Sequence, residues 1–352
     1  MSVEIESAVS KEAVVARSQK NGEPAWLQEF RLKGWEAYAG LPLPQWDRTD
    51  ISSVSFDGLV TEYDGGESER AKSLAAGQGE DAAYLIVEHG KVAARRLPDA
   101  LEKQGVVLAT LEEAAASHPD LVREHLGSAV PADEDKILGL QAAMMRGGLF
   151  VYVPPNVDVE VPLQYALWAE APGFALFPRV LVVADRGSRV SIVESNGSHE
   201  PAESDRIVLQ AVEVVALDNA NVTYSVMQEW GRGVVNVTAR RAKVHRDATV
   251  EWCLGDLGGS LVRAATHTFM EGDGSQGNAM FVFFADGEQH MDVGVTMTHV
   301  GHYTGSDLQG KGVVSDRARC VYRGMTDIEF GAKNTTAFQH ENTLLIGGVL
   351  DL

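Results

Sequence analysis

From Gly148 onward the chain repeats one pattern, a short apolar piece of strand length followed by a tight corner of polar and small residues. At each corner a charged or turn-forming residue comes first, Gly or Ala follows, and a strand-forming residue then opens the next piece. The corners lie at 185–190, 218–222, 247–250, 316–320 and 331–335. Gly, Asp, Asn and Ser tolerate turn geometry, and the valines that fill the pieces favour a pleated sheet. Because no helical pattern separates the pieces, the repeats argue against alternating strand–helix folds and predict a parallel β-helix.

The part of the chain before these repeats has a different character. Helical patterns occur over 9–40, 111–126 and 135–145. The polar, glycine-rich stretch 64–81 predicts a loop. We therefore predict a mainly β protein with a mixed, largely helical N-terminal region, residues 1–145, and a β-helix core, residues 146–352. Since the repeats are irregular, a β-sandwich or a β-barrel remains an alternative for the core.

The composition limits what this protein binds. With 50 acidic and 30 basic residues the net charge is −20, which argues against electrostatic binding to nucleic acid or to an anionic membrane surface. No run approaches 18 apolar residues, so no membrane-spanning helix is predicted. The N-terminus has neither the basic nor the apolar part of a signal peptide, and two cysteines in 352 residues make no disulfide framework. We therefore expect a cytoplasmic protein.

The two cysteines, Cys253 and Cys320, both lie in apolar, strand-like pieces. An iron–sulfur cluster usually needs three or four clustered thiolates, so two distant cysteines define no ligand set. We expect both to be buried and to pack as small hydrophobic residues.

Histidines and an acid cluster late in the chain, and they raise the hypothesis of a metal-binding β protein. The candidate ligands are His290, Asp292, His299 and His302. The spacing of His290 and Asp292 places both on one face of a strand. Histidines on strand faces are more often hydrogen-bonded structural residues, and no HExxH or CxxC motif supports a metal here.

Two pairs of alternating carboxylates raise a second hypothesis, a carbohydrate-active enzyme on a β-helix. Asp158 with Glu160, and Asp327 with Glu329, have the spacing that places two acids on one strand face. Such pairs more often form the solvated face of a strand. Neither a nucleotide-binding glycine loop nor a G-x-S-x-G nucleophile motif is present.

The stretch from His299 to Ile346 resembles the SufB/SufD family of iron–sulfur cluster assembly proteins. The pattern K-G-V…Y-R-G…G-A…Q-x-E-N…L-L within it is the most specific part. Earlier segments are similar to the family in the same order, at 24–36, 148–154, 161–164 and 227–230. The resemblance covers nearly the whole chain.

Within the family, the chain is more similar to the SufD branch. In SufB-like chains a cysteine precedes the last strand, where this chain has Glu341 with His340 beside it. A second SufB-type cysteine is expected shortly after an Arg-Ala pair, but Arg241-Ala242 is followed here by Lys, Val and His245. These differences put cluster ligation by this chain in doubt.

The resemblance implies a right-handed parallel β-helix and a non-catalytic scaffold subunit that acts with SufB and the ATPase SufC. It implies no stably bound cofactor, so an iron–sulfur cluster would be carried only transiently in the complex. A homodimer is possible for the isolated chain. The family has a further C-terminal segment, with a Cys-x-His element and a SufC-docking helical domain, which is not found in this sequence. Either the chain is truncated or this family member has lost that part.

An open strand edge is the expected partner-binding feature. We expect the last strand to lie at an open end of the solenoid, where unpaired backbone groups allow strand addition by SufB or by a second copy. The candidate edge residues are His340, Glu341, Thr343, Leu344, Leu345 and Ile346.

Overall fold

The computed structural model describes residues 9–56, 59–61, 63, 69–77, 79, 81–171, 173–198 and 206–347. Two large sheets dominate it, and nearly all neighbouring strands within each sheet are parallel. Sheet 1 has the strand order β18-β16-β14-β12-β10-β8-β5-β1-β2, and sheet 2 has the order β17-β15-β13-β11-β9-β7-β4-β3. The chain alternates between the sheets as it advances, which confirms the mainly β fold and the parallel β-solenoid. The right hand of the coil stays a prediction.

The strands lengthen along the solenoid. The first nine are β1 (Ala83–Glu88), β2 (Lys91–Arg96), β3 (Val107–Ala109), β4 (Leu149–Val153), β5 (Leu163–Ala169), β6 (Ala175–Leu176), β7 (Arg179–Ala184), β8 (Arg189–Ser198) and β9 (Arg206–Ala216). The other nine are β10 (Asn221–Glu229), β11 (Val234–Val244), β12 (Thr249–Asp256), β13 (Leu261–Met270), β14 (Gln276–Ala285), β15 (His290–His299), β16 (Gly305–Ser315), β17 (Arg319–Ile328) and β18 (Thr336–Ile346).

Seven helices lie in the N-terminal part that the structure describes. They are α1 (Lys11–Lys20), α2 (Ala25–Gly40), α3 (Glu69–Ala76), α4 (Asp99–Lys103), α5 (Leu111–Ser117), α6 (Pro119–His125) and α7 (Lys136–Met144). The predicted helical stretches are confirmed, and the break at Pro119 separates α5 from α6. None of these helices is long and apolar enough to cross a membrane.

The predicted loop at 64–81 is wrong over 69–76, where α3 forms. Its Ala71 is buried, and a Glu69–Lys72 ion pair at 2.8 Å joins successive turns. Residues 64–68, 78 and 80 lie outside the described residues.

The predicted corners turn the chain between the sheets. Asn219, Asp247, Asp316 and Asn334 have φ near +60°, the left-handed region that Asn and Asp tolerate better than other side chains, and Gly187 has φ +70°. Each corner therefore carries a residue type that its backbone requires, and the repeated signature in the sequence reflects this requirement.

Side chains from both sheets fill the inside of the solenoid. Along β13 every second residue is buried, as expected for a strand with one inward face. All residues of β9 are buried, because α7 packs on its outer face through Ile137 and Leu140. Gly34 and Gly139 let α2 approach α7 closely, since a Cβ on Gly34 would lie 2.7 Å from the Gly139 carbonyl oxygen.

The boundary between the two predicted regions, 145/146, stays a prediction. In the structure β1 pairs in parallel with β5, and β3 pairs antiparallel with β4, so strands of the N-terminal region extend both sheets.

Candidate docking edge and the polar cluster beside it

The two sheets end at β17 and β18, which we call the open edge. Within the described residues, β18 pairs only with β16 and β17 pairs only with β15. Ten of the eleven residues of β18 are exposed, and Glu341 is half-buried. The outer backbone groups of both strands are therefore available for pairing with another strand.

Local interactions hold this last turn of the solenoid in place. Asp316, at the corner before β17, accepts a hydrogen bond from the Gly287 backbone N–H at 3.2 Å on the preceding turn. At the corner before β18, the Tyr303 N–H donates to the Lys333 carbonyl at 2.8 Å. The register with β15 and β16 is unbroken, so the open edge is as regular as the rungs before it.

Large apolar side chains are exposed along the open edge. Phe338 is 66% exposed, Leu344 59%, Leu345 49% and Ile346 52%, and Phe330 at the corner is fully exposed. Met325 and Ile328 of β17 are also more than half exposed. Exposed large apolar side chains next to unpaired strand backbone are typical of a protein–protein interface.

The sequence-predicted edge residues all lie on β18, and their role in partner binding stays a prediction. Glu341 is in register with the buried Gly310, so it faces the inside of the solenoid. His340 faces the other side, where the Asn342 side-chain nitrogen lies 2.8 Å from His340 Nε2. Leu345 is in register with the core residue Val314 and covers the last inward layer only in part.

The two cysteines are half-buried, less than the sequence predicted, although Cys320 packs as a small hydrophobic residue as expected. Cys320 packs against the core at the open edge, and burial, with smaller effects from Asp292 and Glu341, raises the pKa of its thiol to about 12. Burial also raises the pKa of Cys253 on β12. Both thiols are therefore protonated at neutral pH, and neither has the depressed pKa of a reactive cysteine.

The four metal-ligand candidates do not converge. His290 and Asp292 lie at the beginning of β15, whereas His299 lies at its end and His302 follows it. At about 3.3 Å per residue, the nine steps from His290 to His299 span roughly 30 Å. His299 is buried, with Thr304 Oγ1 2.8 Å from its Nδ1 and Ser306 Oγ 3.0 Å from its Nε2. The described residues contain no cluster of three or more His, Cys, Asp or Glu side chains that could hold a metal ion.

Asp292 is instead the centre of a buried polar cluster. Thr49 donates a hydrogen bond to Asp292 Oδ2 at 2.6 Å, and His290 Nε2 lies 2.9 Å from the same Thr49 hydroxyl. Arg263 Nη1 lies 3.4 Å from Asp292 Oδ1, and Arg323 of β17 forms a second ion pair with this oxygen. The sequence prediction placed His290 and Asp292 correctly on one face but missed their actual partners.

The cluster attaches the segment after α2 to the open edge. Besides its ion pair with Asp292, Arg323 donates to the Asp47 backbone carbonyl. Trp46 lies under the Arg263 guanidinium, 5.5 Å from ring centroid to Cζ. Residues 46–49 are thus fixed to β13, β15 and β17, three consecutive strands of sheet 2.

The carboxylate pairs of the carbohydrate-enzyme hypothesis are solvated. Asp158 and Glu160 are exposed and precede β5 in an irregular segment, where Asp158 faces Arg189 at 4.0 Å. Asp327 lies near the end of β17 and Glu329 just after it, and both are exposed. Asp158 and Glu160 lie before the start of β5 at Leu163, but both are exposed and flank the buried Val159, so they form a solvated face.

A titrating histidine on sheet 2 gives a prediction about acid stability. Burial, and next the Arg241 cation, lowers the pKa of His267 to about 4. The unfolded chain binds this proton below about pH 6.5 and the folded chain only below about 4. We therefore expect the His267 contribution to stability to be complete above pH 6.5 and to be lost as the pH falls towards 4. Urea titrations of the wild type and of His267→Gln between pH 7 and 5 measure it, and the variant should have the smaller slope, by up to about 1 kcal/mol per pH unit after solvent screening.

Phe269→Leu is the matched control for His267. Its ring stacks on His267 at 3.8 Å between centroids, and the substitution removes no titrating group. This variant removes part of the ring that covers His267 but keeps the histidine, so its pH slope should lie between those of the wild type and His267→Gln. Equal pH slopes for the wild type and His267→Gln would contradict the prediction.

Comparisons with known proteins match the chain in two consecutive stretches. Residues 167–348 match the family model described as SUF system FeS cluster assembly, SufBD core domain. Residues 80–165 match the model described as SufBD protein N-terminal region. Together the two stretches include every strand from β1 to β18.

Full-length relatives agree with the family models. The chain is 31% identical to the iron-sulfur cluster assembly protein SufD of Bacillus subtilis, over 96% of this chain and 80% of the relative. It is 29% identical to the iron-sulfur cluster assembly protein SufB of the same organism, over 93% of this chain and 73% of the relative. It is also 29% identical, with the same coverage, to an iron-sulfur cluster assembly SufBD family protein of Staphylococcus epidermidis. Since the identities to SufD and SufB differ little, they do not separate the two branches.

Proposed function

The chain belongs to the SufBD family of iron–sulfur cluster assembly proteins, and from this premise we propose that it is a SufD-like, non-catalytic scaffold subunit of a Suf assembly complex. It pairs through the open edge with SufB and acts with the ATPase SufC in the cytoplasm. The iron–sulfur cluster is the cargo of the complex and rests on this chain only transiently. When the isolated chain has no SufB available, a second copy occupies the same edge.

The apolar open edge is the observation that carries this proposal. A solenoid that ends in two regular strands offers backbone hydrogen bonds, and the exposed Phe338, Leu344 and Leu345 offer apolar area to a partner. A SufB chain with the same fold has strands of matching spacing. Edge-to-edge pairing would continue both sheets of one solenoid into the other.

The state of the cysteines supports the SufD-like role. The position where a SufB-like chain is expected to carry a thiol holds Glu341, and the nearby Cys320 has a raised pKa. A protonated, half-buried thiol is a poor ligand for iron, which binds the thiolate. Stable cluster ligation is thus assigned to the partner subunit.

Co-purification tests the proposed edge. The full chain is co-expressed with SufB and SufC, and retention of each partner is measured for the wild type and for Leu345→Lys. Burying a lysine in place of a leucine removes roughly 1.5–3 kcal/mol of apolar burial and adds the cost of desolvating a charge, so we expect SufB binding to weaken about tenfold or more.

Val92→Lys provides the matched control. Val92 is 40% exposed and lies on β2, the terminal strand at the opposite end of sheet 1. This variant should retain SufB like the wild type. The proposal is wrong if Leu345→Lys retains SufB fully or if both variants lose it equally.

A further inference from the structure

A cleft of about 720 Å³ lies where the segment 43–52 crosses the outer face of sheet 2. The sheet side of the cleft is formed by Leu261, His290 and Arg319, which are in register on β13, β15 and β17. Trp46, Arg48 and Asp50 are among the residues that line it from the segment side. The scaffold function proposed above makes no use of this cleft.

The cleft is preformed by buried contacts. Thr49 is buried, and its hydrogen bond to Asp292 fixes the middle of the segment to β15. Trp46 and Thr49 form an antiparallel bridge across a turn, and Arg48 within this turn has φ +62°. A non-glycine residue in the left-handed region costs about 1 kcal/mol or more, so the surrounding contacts must hold Arg48 there. This conformation is often associated with functional turns.

The cleft carries unpaired positive charge. Arg48 and Arg319 are exposed, and no carboxylate or hydrogen-bond acceptor of the described residues contacts either guanidinium. Asp50 is the acid of the lining, and its carboxylate accepts the Ser52 backbone N–H at 2.8 Å. Two guanidinium groups without a contacting counter-ion therefore line one cleft in a chain with a net charge of −20.

The hydrogen-bond network places a proton on His290 Nε2. Because Thr49 donates its proton to Asp292, its oxygen must accept the proton of His290 Nε2. Burial, and next the Arg319 cation, lowers the pKa of His290 from its usual value, so the ring is neutral at pH 7 and Nδ1 is an acceptor. The cleft thus combines two cationic donors with one neutral acceptor.

We propose that this cleft binds a small organic anion that carries phosphate or carboxylate groups, with Arg48 and Arg319 as its charged ligands. Guanidinium groups bind both kinds of group through paired N–H donors. The volume lies within the usual range of small-molecule sites, about 300–1,000 Å³, and exceeds what one inorganic phosphate fills. His290 Nδ1 accepts a hydrogen bond from a hydroxyl or a protonated oxygen of the ligand.

Occupation of the cleft would also act on the open edge. Arg319 is the first residue of β17, and the segment on the other side of the cleft is joined to the same strand through Arg323. A bound anion would link these two parts and stabilise β17.

Calorimetric titration of the full chain with pyrophosphate and with citrate tests the proposal and separates phosphate from carboxylate ligands. We expect at least one probe to bind in dilute buffer, to bind more weakly as salt is added, and to change the Trp46 fluorescence, a change that Trp46→Phe removes. Arg48→Gln and Arg319→Gln alter exposed side chains, and each should weaken binding about tenfold by removing a charge-assisted contact.

Arg186→Gln is the control, since Arg186 is an exposed arginine at the corner between β7 and β8, away from the cleft. It should bind the probe like the wild type. The proposal is overturned if neither probe binds at millimolar concentration, or if the two cleft variants bind as tightly as Arg186→Gln. These outcomes are independent of SufB retention, so they do not bear on the scaffold role.

Discussion

Replacing Glu213 with glutamine is expected to lower the free energy of unfolding by about 3–5 kcal/mol. Glu213 and Arg179 are both fully buried, and Arg179 Nη2 lies 2.7 Å from Glu213 Oε1. The same carboxylate accepts the backbone N–H groups of Gly127, Ala129 and Val130, each at 3.0 Å. A glutamine keeps the shape but turns an amide NH2 towards donors and leaves the Arg179 charge buried without a counter-ion. The substitution therefore weakens the attachment of 127–130 to sheet 2, to which Arg179 and Arg241 also contribute by donating to the Val130 and Ala129 carbonyls.

Urea unfolding measures this loss, and Glu134→Gln is its control. Glu134, shortly after the stretch 127–130, forms an ion pair with Arg241 of sheet 2, and the Glu134 side chain is 38% exposed. A solvated pair of this kind contributes about 0–1 kcal/mol, so its loss should be small. Comparable destabilisation by the two substitutions would show that burial of the Glu213–Arg179 pair has no special effect, contrary to the prediction.

The repeated corners could be predicted from the sequence because their cause is local. A backbone with φ near +60° favours Gly, Asn or Asp over other residues, and Asn219, Asp247 and Asp316 follow this preference. The solenoid follows from many such corners between valine-rich strands. The break between α5 and α6 was predictable for the same reason, since proline restricts its own backbone and that of the preceding residue.

Strand lengths were harder to predict from the same pattern. Gly310, Gly312 and Gly324 divide the sequence into short pieces, but they lie inside β16 and β17. These glycines face inward, and their missing side chains make room for neighbours. A Cβ on Gly312 would lie 2.0 Å from the Phe283 ring, and one on Gly310 would lie equally close to that of Phe281. A glycine required by packing looks like a turn residue until the facing strand is known.

The polar cluster could not be predicted, because its members are distant in the sequence. Thr49 and Asp292 are 243 residues apart in the sequence, and Arg323 and Asp47 are 276 residues apart. No periodicity joins such residues. The sequence suggested metal ligation for His290 and Asp292 because it shows which side chains share a strand face, but not which side chains lie opposite them.

Replacing Asp292 with asparagine is expected to lower the free energy of unfolding by about 2–4 kcal/mol, less than the loss at Glu213 because Arg323 reaches solvent. Asp292 is fully buried, and the Arg263 and Arg323 side chains are 17% and 34% exposed. Without the carboxylate, both arginines lose their counter-ion and Thr49 loses the acceptor that fixes the segment. Urea unfolding measures this loss, and the part of the tryptophan fluorescence change that Trp46→Phe removes reports on this segment, because Trp46 lies against Arg263.

Thr49→Val distinguishes the charge of Asp292 from the hydrogen bond that it accepts. The valine removes the hydroxyl but leaves both ion pairs, so we expect a loss of only about 1–2 kcal/mol in the free energy of unfolding.

Because Arg323 belongs to β17, Asp292→Asn should also weaken retention of SufB, although Asp292 itself lies inside the cluster and away from the edge backbone. If Asp292→Asn is no more destabilising than Thr49→Val, the ion pairs do not hold the segment. If Asp292→Asn unfolds more easily but retains SufB fully, the open edge keeps its shape without the attachment of residues 46–49.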